Sequence, residues 1–162
     1  SIVFDGSDDV VSISDSSSID VTPTVTISAW INPSGFGENN FGRIIDSDDS
    51  YNFFLDNSTV TSGIRYWPNS GSALSVANCV TLDEWVNFVA VHSGSNVTIY
   101  KNGVIIGTSS ALSTLPSTSS GLTIGNKLLK AKFLRFLFTI QHYQQQKSNK
   151  TTMHLKGDMH NK

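Results

Sequence analysis

The chain has a single cysteine in 162 residues, Cys79, so no internal disulfide can form. That excludes a stapled secreted scaffold, although not export. Cys79 is left with the ordinary role of a small buried or half-buried hydrophobe. No Cys/His cluster has zinc spacing, because the four histidines (92, 142, 154 and 160) are scattered. No apolar run approaches the ~18 residues of a membrane-spanning helix, and no signal-peptide pattern is seen. The sequence opens at Ser1, as expected of a mature form, a fragment or a trimmed product. There are only two glutamates, Glu38 and Glu84, 46 residues apart. Glu38 lies in a Gly/Asn stretch and Glu84 precedes Trp85. Gly-x-Ser-x-Gly elbows, phosphate-binding loops and HExxH are all missing. These absences argue against catalysis.

Basic residues are also scarce until late in the chain. Residues 1–126 hold three (Arg43, Arg65, Lys101) against twelve acids, net −9, while residues 127–162 hold eight against Asp158 alone, net +7. The overall charge of −2 hides two opposed segments. An asymmetry this sharp points to a tail with its own partner: nucleic acid, membrane or an acidic surface.

What is present in residues 1–126 is one repeated grammar. Short alternating runs of β-branched and aromatic residues are broken by Gly, Asn, Asp, Ser or Pro. In Thr24–Asn32, Val25, Ile27, Ala29 and Ile31 face one way while Thr26, Ser28, Trp30 and Asn32 face the other, the period of a half-buried strand. Phe4 leads another apolar strand into a turn at Asp5-Gly6. Further strands are expected at Val10–Ile13, Gly42–Asp46, Tyr51–Asp56, Val60–Trp67, Ala73–Ala77, Trp85–His92, Asn96–Lys101, Val104–Thr108 and Gly121–Gly125. Asn102-Gly103 between two of them is a strong hairpin signal, since a type I′ turn needs positive φ at both central residues. Gly94-Ser95 marks a second tight turn. Residues 109–120 form a low-complexity Ser/Thr stretch that reads as an exposed loop. Many short strands at this spacing, with no convincing helix, predict an all-β sandwich or jelly roll.

Four stretches in order, SIVFDGSDDV (1–10), TVTISAWINP (24–33), EWVNFVAVHSGSNVTIYKNG (84–103) and GLTIGN (121–126), resemble the laminin-G-like jelly-roll domains of the concanavalin A-like lectin/glucanase superfamily. The resemblance covers residues 1–126 and implies an all-β, two-sheet antiparallel jelly-roll sandwich. It implies binding of carbohydrate or protein, commonly as an adhesion module of an extracellular or virion-surface protein. Glycosidases of the superfamily carry a paired-carboxylate E-x-D-x-E arrangement, and retaining hydrolysis needs two carboxylates about 5 Å apart. The two lone glutamates do not supply it. Trp30 and Trp85 are expected in the sandwich core.

Residues 127–162 depart from the family, whose closing strand reads F-x-G-x-I-x-x-V-x-I-Y-N. The tail here is KLLKAKFLRFLFTIQHYQQQKSNKTTMHLKG. Back-translated and read two nucleotides later, it can spell FKGKISKVLIYNSTLSAAEIKQNYNAFK, the expected ending. The tail is therefore read as a frameshifted version of the closing strand and helix, which makes its +7 charge incidental and removes nucleic acid as a partner. Two further readings stand beside this one. Leu128–Ile140 is basic and apolar enough for a helix on a membrane surface. Part of Lys132–Gln141 is equally able to add as a strand at the vacated sheet edge.

For ligands, Asp46, Asp48 and Asp49 form a carboxylate-rich turn suited to Ca²⁺; the alternative is a solvated turn. Asp5, Asp8 and Asp9 make a second acidic turn. No cofactor is required, and calcium is the one ion the pattern suits. A sugar site combines an aromatic face with amides and carboxylates. Arg65, Tyr66, Trp67 and Asn69, with Tyr51 and Asn52 on a neighbouring strand, are the candidate surface patch, joined by Asp48 and Asp49. Alternatively, Tyr66 and Trp67 close one end of the sandwich. The function expected is a non-catalytic module of a larger extracellular or virion-surface protein, binding a glycan or cell-surface polysaccharide. The alternative is a structural module packing against itself or its parent protein in a fibre, capsid or filament. A diverged glycoside hydrolase is the third reading.

Overall fold

A computed structural model describes the whole chain except residues 18, 20–22, 48, 49, 70, 116–119, 128, 143–148 and 157–162, with backbone alone at 23, 134, 136–142 and 149–156. Thirteen strands are described: β1 (Ile2–Asp5), β2 (Val11–Ile13), β3 (Pro23–Pro33), β4 (Arg43–Ser47), β5 (Tyr51–Asp56), β6 (Gly63–Trp67), β7 (Leu74–Val76), β8 (Val86–Ser93), β9 (Asn96–Lys101), β10 (Val104–Ser109), β11 (Leu122–Ile124), β12 (Lys130–His142) and β13 (Asn149–Lys156). The one helical element among the described residues is a 3-10 turn at Glu38–Asn40. No helix among them is long and apolar enough to cross a membrane.

The strands form two antiparallel sheets. The larger runs β1-β12-β3-β8-β9-β10, with β13 also paired to β12, and the smaller runs β2-β11-β4-β5-β6-β7. The jelly-roll expectation holds. Period-two alternation explains how the sheets stack. On β3, Val25, Ile27, Ala29 and Ile31 are fully buried, and on β8 so are Phe88, Ala90 and His92. Tyr51, Phe53 and Leu55 of β5 and Ile64 and Tyr66 of β6 complete the same core from the other sheet. The hairpin at Asn102-Gly103 has φ of +50° and +82°, as a type I′ turn requires. Gly125 has φ +81°, and a Cβ there would run into the Phe4 ring. Both the backbone and the packing therefore demand glycine.

Two expectations are corrected. Trp30 and Trp85 are not core residues: they are 38 % and 44 % exposed. Trp30 sits at an outward position of β3, where a side chain opposite in phase to Val25 and Ile27 must point away from the core. The helix considered for Leu128–Ile140 is not formed over 130–140. Residues 130–142 are strand β12, which lies between β1 and β3 and carries buried Ala131 and Phe133 inward. Phe133 meets Phe4 edge-on at 5.1 Å. The strand reading of Lys132–Gln141 describes this segment, although it lies inside the sheet rather than at a vacant edge.

Candidate functional site

The centre of the smaller sheet places β5 against β6, with Asn52 opposite Trp67, Phe54 opposite Arg65 and Asp56 opposite Gly63. Every residue of β5 is buried, so both of its faces are covered. Tyr51, Phe53 and Leu55 face the core, while Asn52, Phe54 and Asp56 face outward beneath the side chains of β4, β6 and the adjoining loops.

That outer face holds a cavity of about 290 Å³ lined by Phe41, Arg43, Phe54, Arg65 and Trp67. Its floor is the Phe54 ring. Phe41 packs edge-on against it at 5.8 Å. The Arg43 guanidinium lies 4.1 Å from the ring centroid and that of Arg65 5.7 Å, the distances of cation–π contact. Each guanidinium is backed by a carboxylate from the sheet. Asp46 Oδ2 is 3.6 Å from Arg43 Nε, and Asp56 Oδ2 is 3.6 Å from Arg65 Nη1. The two positive charges are thus locally neutralised. Arg65 Nη1 also donates to Thr59 Oγ1 at 2.9 Å. Asp56 Oδ1 accepts from the Ser58 and Thr59 amides, which fixes the loop after β5. Asn52 Nδ2 donates to Asn69 Oδ1 at 3.0 Å, and Trp67 Nε1 donates to the Gly71 carbonyl at 3.3 Å. Asn52 Oδ1, Asp56 Oδ2 and Arg65 Nε are buried without a hydrogen-bond partner among the described residues. Buried polar atoms are usually satisfied; Asp56 Oδ2 is held by the Arg65 guanidinium, which leaves Asn52 Oδ1 and Arg65 Nε as unbonded atoms of this cluster among the described residues.

The expected patch is only partly assembled. Arg65 and Trp67 share the outer face and line the cavity, and Asn52 and Asn69 pair beside it. Tyr51 and Tyr66 are corrections: both are fully buried in the core, ring stacked on ring at 6.3 Å. Adjacent residues of a strand point to opposite faces, so Tyr66 cannot share a surface with Arg65 and Trp67. Burial pushes both phenols well above their ordinary pKa. The Tyr66 hydroxyl is 2.8 Å from His92 Nδ1, and His92 Nε2 is 2.8 Å from the Gly94 carbonyl. Asp48 and Asp49 lie outside the described residues. Asp46 pairs with Arg43, and no cluster of three metal-ligating side chains occurs among the described residues. Phe41, Arg43 and Phe54 were not expected at the site.

The family model described as concanavalin A-like lectin/glucanases superfamily matches residues 5–144. The chain belongs to this superfamily. The match continues past residue 126 through β12. Solved structures repeat this superfamily fold at low identity. A putative carbohydrate-binding protein from Bacteroides ovatus is 14 % identical with a TM-score of 0.66, over 80 % of this chain and 40 % of that one. Domain 4 of the extracellular arabinanase AbnA from Geobacillus stearothermophilus, solved with arabinotriose, is 13 % identical with a TM-score of 0.61, over 81 % and 64 %. A heptameric pentraxin from Limulus polyphemus is 14 % identical with a TM-score of 0.59, over 84 % and 73 %. No curated protein matches in sequence.

Proposed function

We propose that this chain is a non-catalytic carbohydrate-binding module of a larger extracellular or virion-surface protein, and that the cavity over Phe54 is its glycan site. The observation that supports this most directly is the composition of that cavity. The half-buried Trp67 lies beside guanidiniums already neutralised by Asp46 and Asp56 and stacked over the buried Phe54 ring, with unbonded polar atoms of Asn52 and Arg65 beneath them. Aromatic faces stack on sugar C–H groups, and planar guanidinium and amide groups bond hydroxyls. The volume of about 290 Å³ lies just below the roughly 300–1,000 Å³ of ligand pockets, the size of a small ligand. Because the local charge is balanced, the ligand is an uncharged saccharide. A fold shared with a putative carbohydrate-binding protein and an arabinotriose-bound domain supports the class of ligand, though fold alone does not fix function.

The test is a glycan array on folded protein, with calcium and again with EDTA, alongside Trp67→Ala. Binding lost in Trp67→Ala supports the site. Loss in EDTA would show that binding needs a divalent cation and point to the Asp46–Asp49 turn; persistence would remove the metal. A blank array on folded protein moves the reading to a self-assembly module. A separate observation favours that alternative: edge strand β10 presents Val104 and Ile105 at 66 % and 56 % exposure. The hydrolase reading is tested by a β-glucan assay and is disfavoured by Glu38 and Glu84, which sit in two different turns and form no paired-carboxylate motif.

A further inference from the structure

The outer face of the larger sheet, on the opposite side of the molecule from the Phe54 cavity, carries the two exposed indoles. Register places Asn87, Trp30 and Arg135 in one row across β8, β3 and β12. Two residues along β3, Asn32 stands opposite Lys132, which has Val3 of β1 on its other side. Ile31 pairs with Val86, so the preceding Trp85 comes alongside Asn32. Trp30 and Trp85 are thus diagonal neighbours, and side chains at such positions lie roughly 7–8 Å apart. Exposed indoles grouped on one face mark a binding surface more often than chance.

The charge around them is one-sided. The outward residues of β3 and β8 (Thr26, Ser28, Asn32, Asn87, Val89 and Val91) carry none. Lys132 and Arg135 of β12 are exposed cations directly beside the aromatics. Lys130 is discounted because it faces Asp5 in the register. The nearby acids, Asp83 and Glu84, precede Trp85 outside the strands, where the Asp83 amide donates to the Pro33 carbonyl at the end of β3. In a chain whose first 126 residues are net −9, a strip free of acids with cations along one border selects an anionic ligand.

We propose that this face is a second binding surface for a carboxylated polysaccharide. Uronate groups meet Lys132 and Arg135 while the sugar rings lie on Trp30 and Trp85. It is independent of the Phe54 cavity, whose balanced charges suit an uncharged sugar.

The probe is polygalacturonate, with dextran as the neutral control and duplex DNA as a non-saccharide polyanion, measured on the full chain by affinity electrophoresis. Trp30→Ala and Trp85→Ala should each weaken polygalacturonate binding roughly tenfold or more, the scale of losing a central aromatic contact. Lys132→Gln with Arg135→Gln should weaken it and flatten its dependence on salt between about 50 and about 300 mM. Trp67→Ala should leave it unchanged. Should a Trp variant fail to fold, the paired Gln variant, altered only at exposed positions, carries the test. No retention of polygalacturonate, wild-type retention in the Trp variants, equal loss in Trp67→Ala, or DNA held as tightly as the polysaccharide would each overturn the proposal.

Discussion

Tyr66→Phe tests the core link between the two sheets. His92 is fully buried on β8 of the larger sheet, and Tyr66 is fully buried on β6 of the smaller one. Nε2 of His92 faces the Gly94 carbonyl at 2.8 Å, which can only accept, so Nε2 carries the proton and Nδ1 is the acceptor. The Tyr66 hydroxyl must then donate to Nδ1, also at 2.8 Å. Removing that hydroxyl leaves Nδ1 buried and unpaired, which costs about 1–3 kcal/mol. For a domain of this size that is a fall of about 2–12 °C in Tm. The same geometry predicts a pH dependence. Around His92 lie Tyr66, Tyr51 stacked behind it, and the backbone of Gly94 and Ser113. Burial lowers the His92 pKa below its ordinary 6.5, opposed by the backbone bonds to Gly94 and Ser113. The unfolded chain therefore binds more protons than the native one as pH falls. The stability contributed is complete above about pH 6.5 and is lost as pH drops toward the folded value, by up to about 1.4 kcal/mol per pH unit. Urea melts of wild type, Tyr66→Phe and His92→Gln between about pH 7.5 and about 5.5, above the main carboxylate range, read both effects. Wild type should weaken toward the acid end, and His92→Gln should weaken less steeply. A Tyr66→Phe midpoint equal to wild type, or a flat wild-type profile, would refute the reasoning.

Two glycines with nearly equal φ separate backbone strain from packing. Gly103→Ala (φ +82°, with nothing near its Cβ) should cost about 1 kcal/mol, whereas Gly125→Ala (φ +81°, Cβ against Phe4) should cost about 1–3 kcal/mol more, read as the difference between two denaturant melts. Phe133→Ala should cost about 3–5 kcal/mol, because its buried ring packs on Phe4; an unchanged melt would remove β12 from the sandwich. Intact mass spectrometry should return 17.6 kDa for the whole chain carrying the tail as written, and the frameshift reading predicts a different mass when the gene is expressed from its source DNA.

Most of the strands were legible because their periodicity is clean and their turns use residues that tolerate positive φ, as at Asn102 and Gly103. The site was less legible because β5 and β6 carry aromatics on both faces. YNFFLD offers Tyr51 and Phe53 to the core and Phe54 to the outside, and GIRYW offers Tyr66 inward and Trp67 outward. Simple alternation would already have separated Tyr66 from Arg65 and Trp67. The same alternation on β3 marked Trp30 as opposite in phase to Ile27 and Ile31, against its expected core role. Phe41 and Arg43 carried no such signal. They reach the cavity through the pairing of β4 with β5, which a bulge between Arg43 and Ile45 shifts by one residue.

The basic tail and the sandwich are less at odds than their charges suggest. What the sheet asks of β12 is a small residue where Ala131 faces inward, an apolar one where Phe133 meets Phe4, and tolerance for anything at the outward positions 130, 132 and 135. Aligned on that small residue, the alternative frame supplies lysine at 130, glycine at 131, lysine at 132, isoleucine at 133 and lysine at 135. Both readings alternate apolar and basic residues with the period of a strand. The inward demands are met in either frame, and so is the row of cations beside Trp30. Over positions 130–135 the start of β12 therefore meets the same demands in either frame, and the cations beside Trp30 are kept in both.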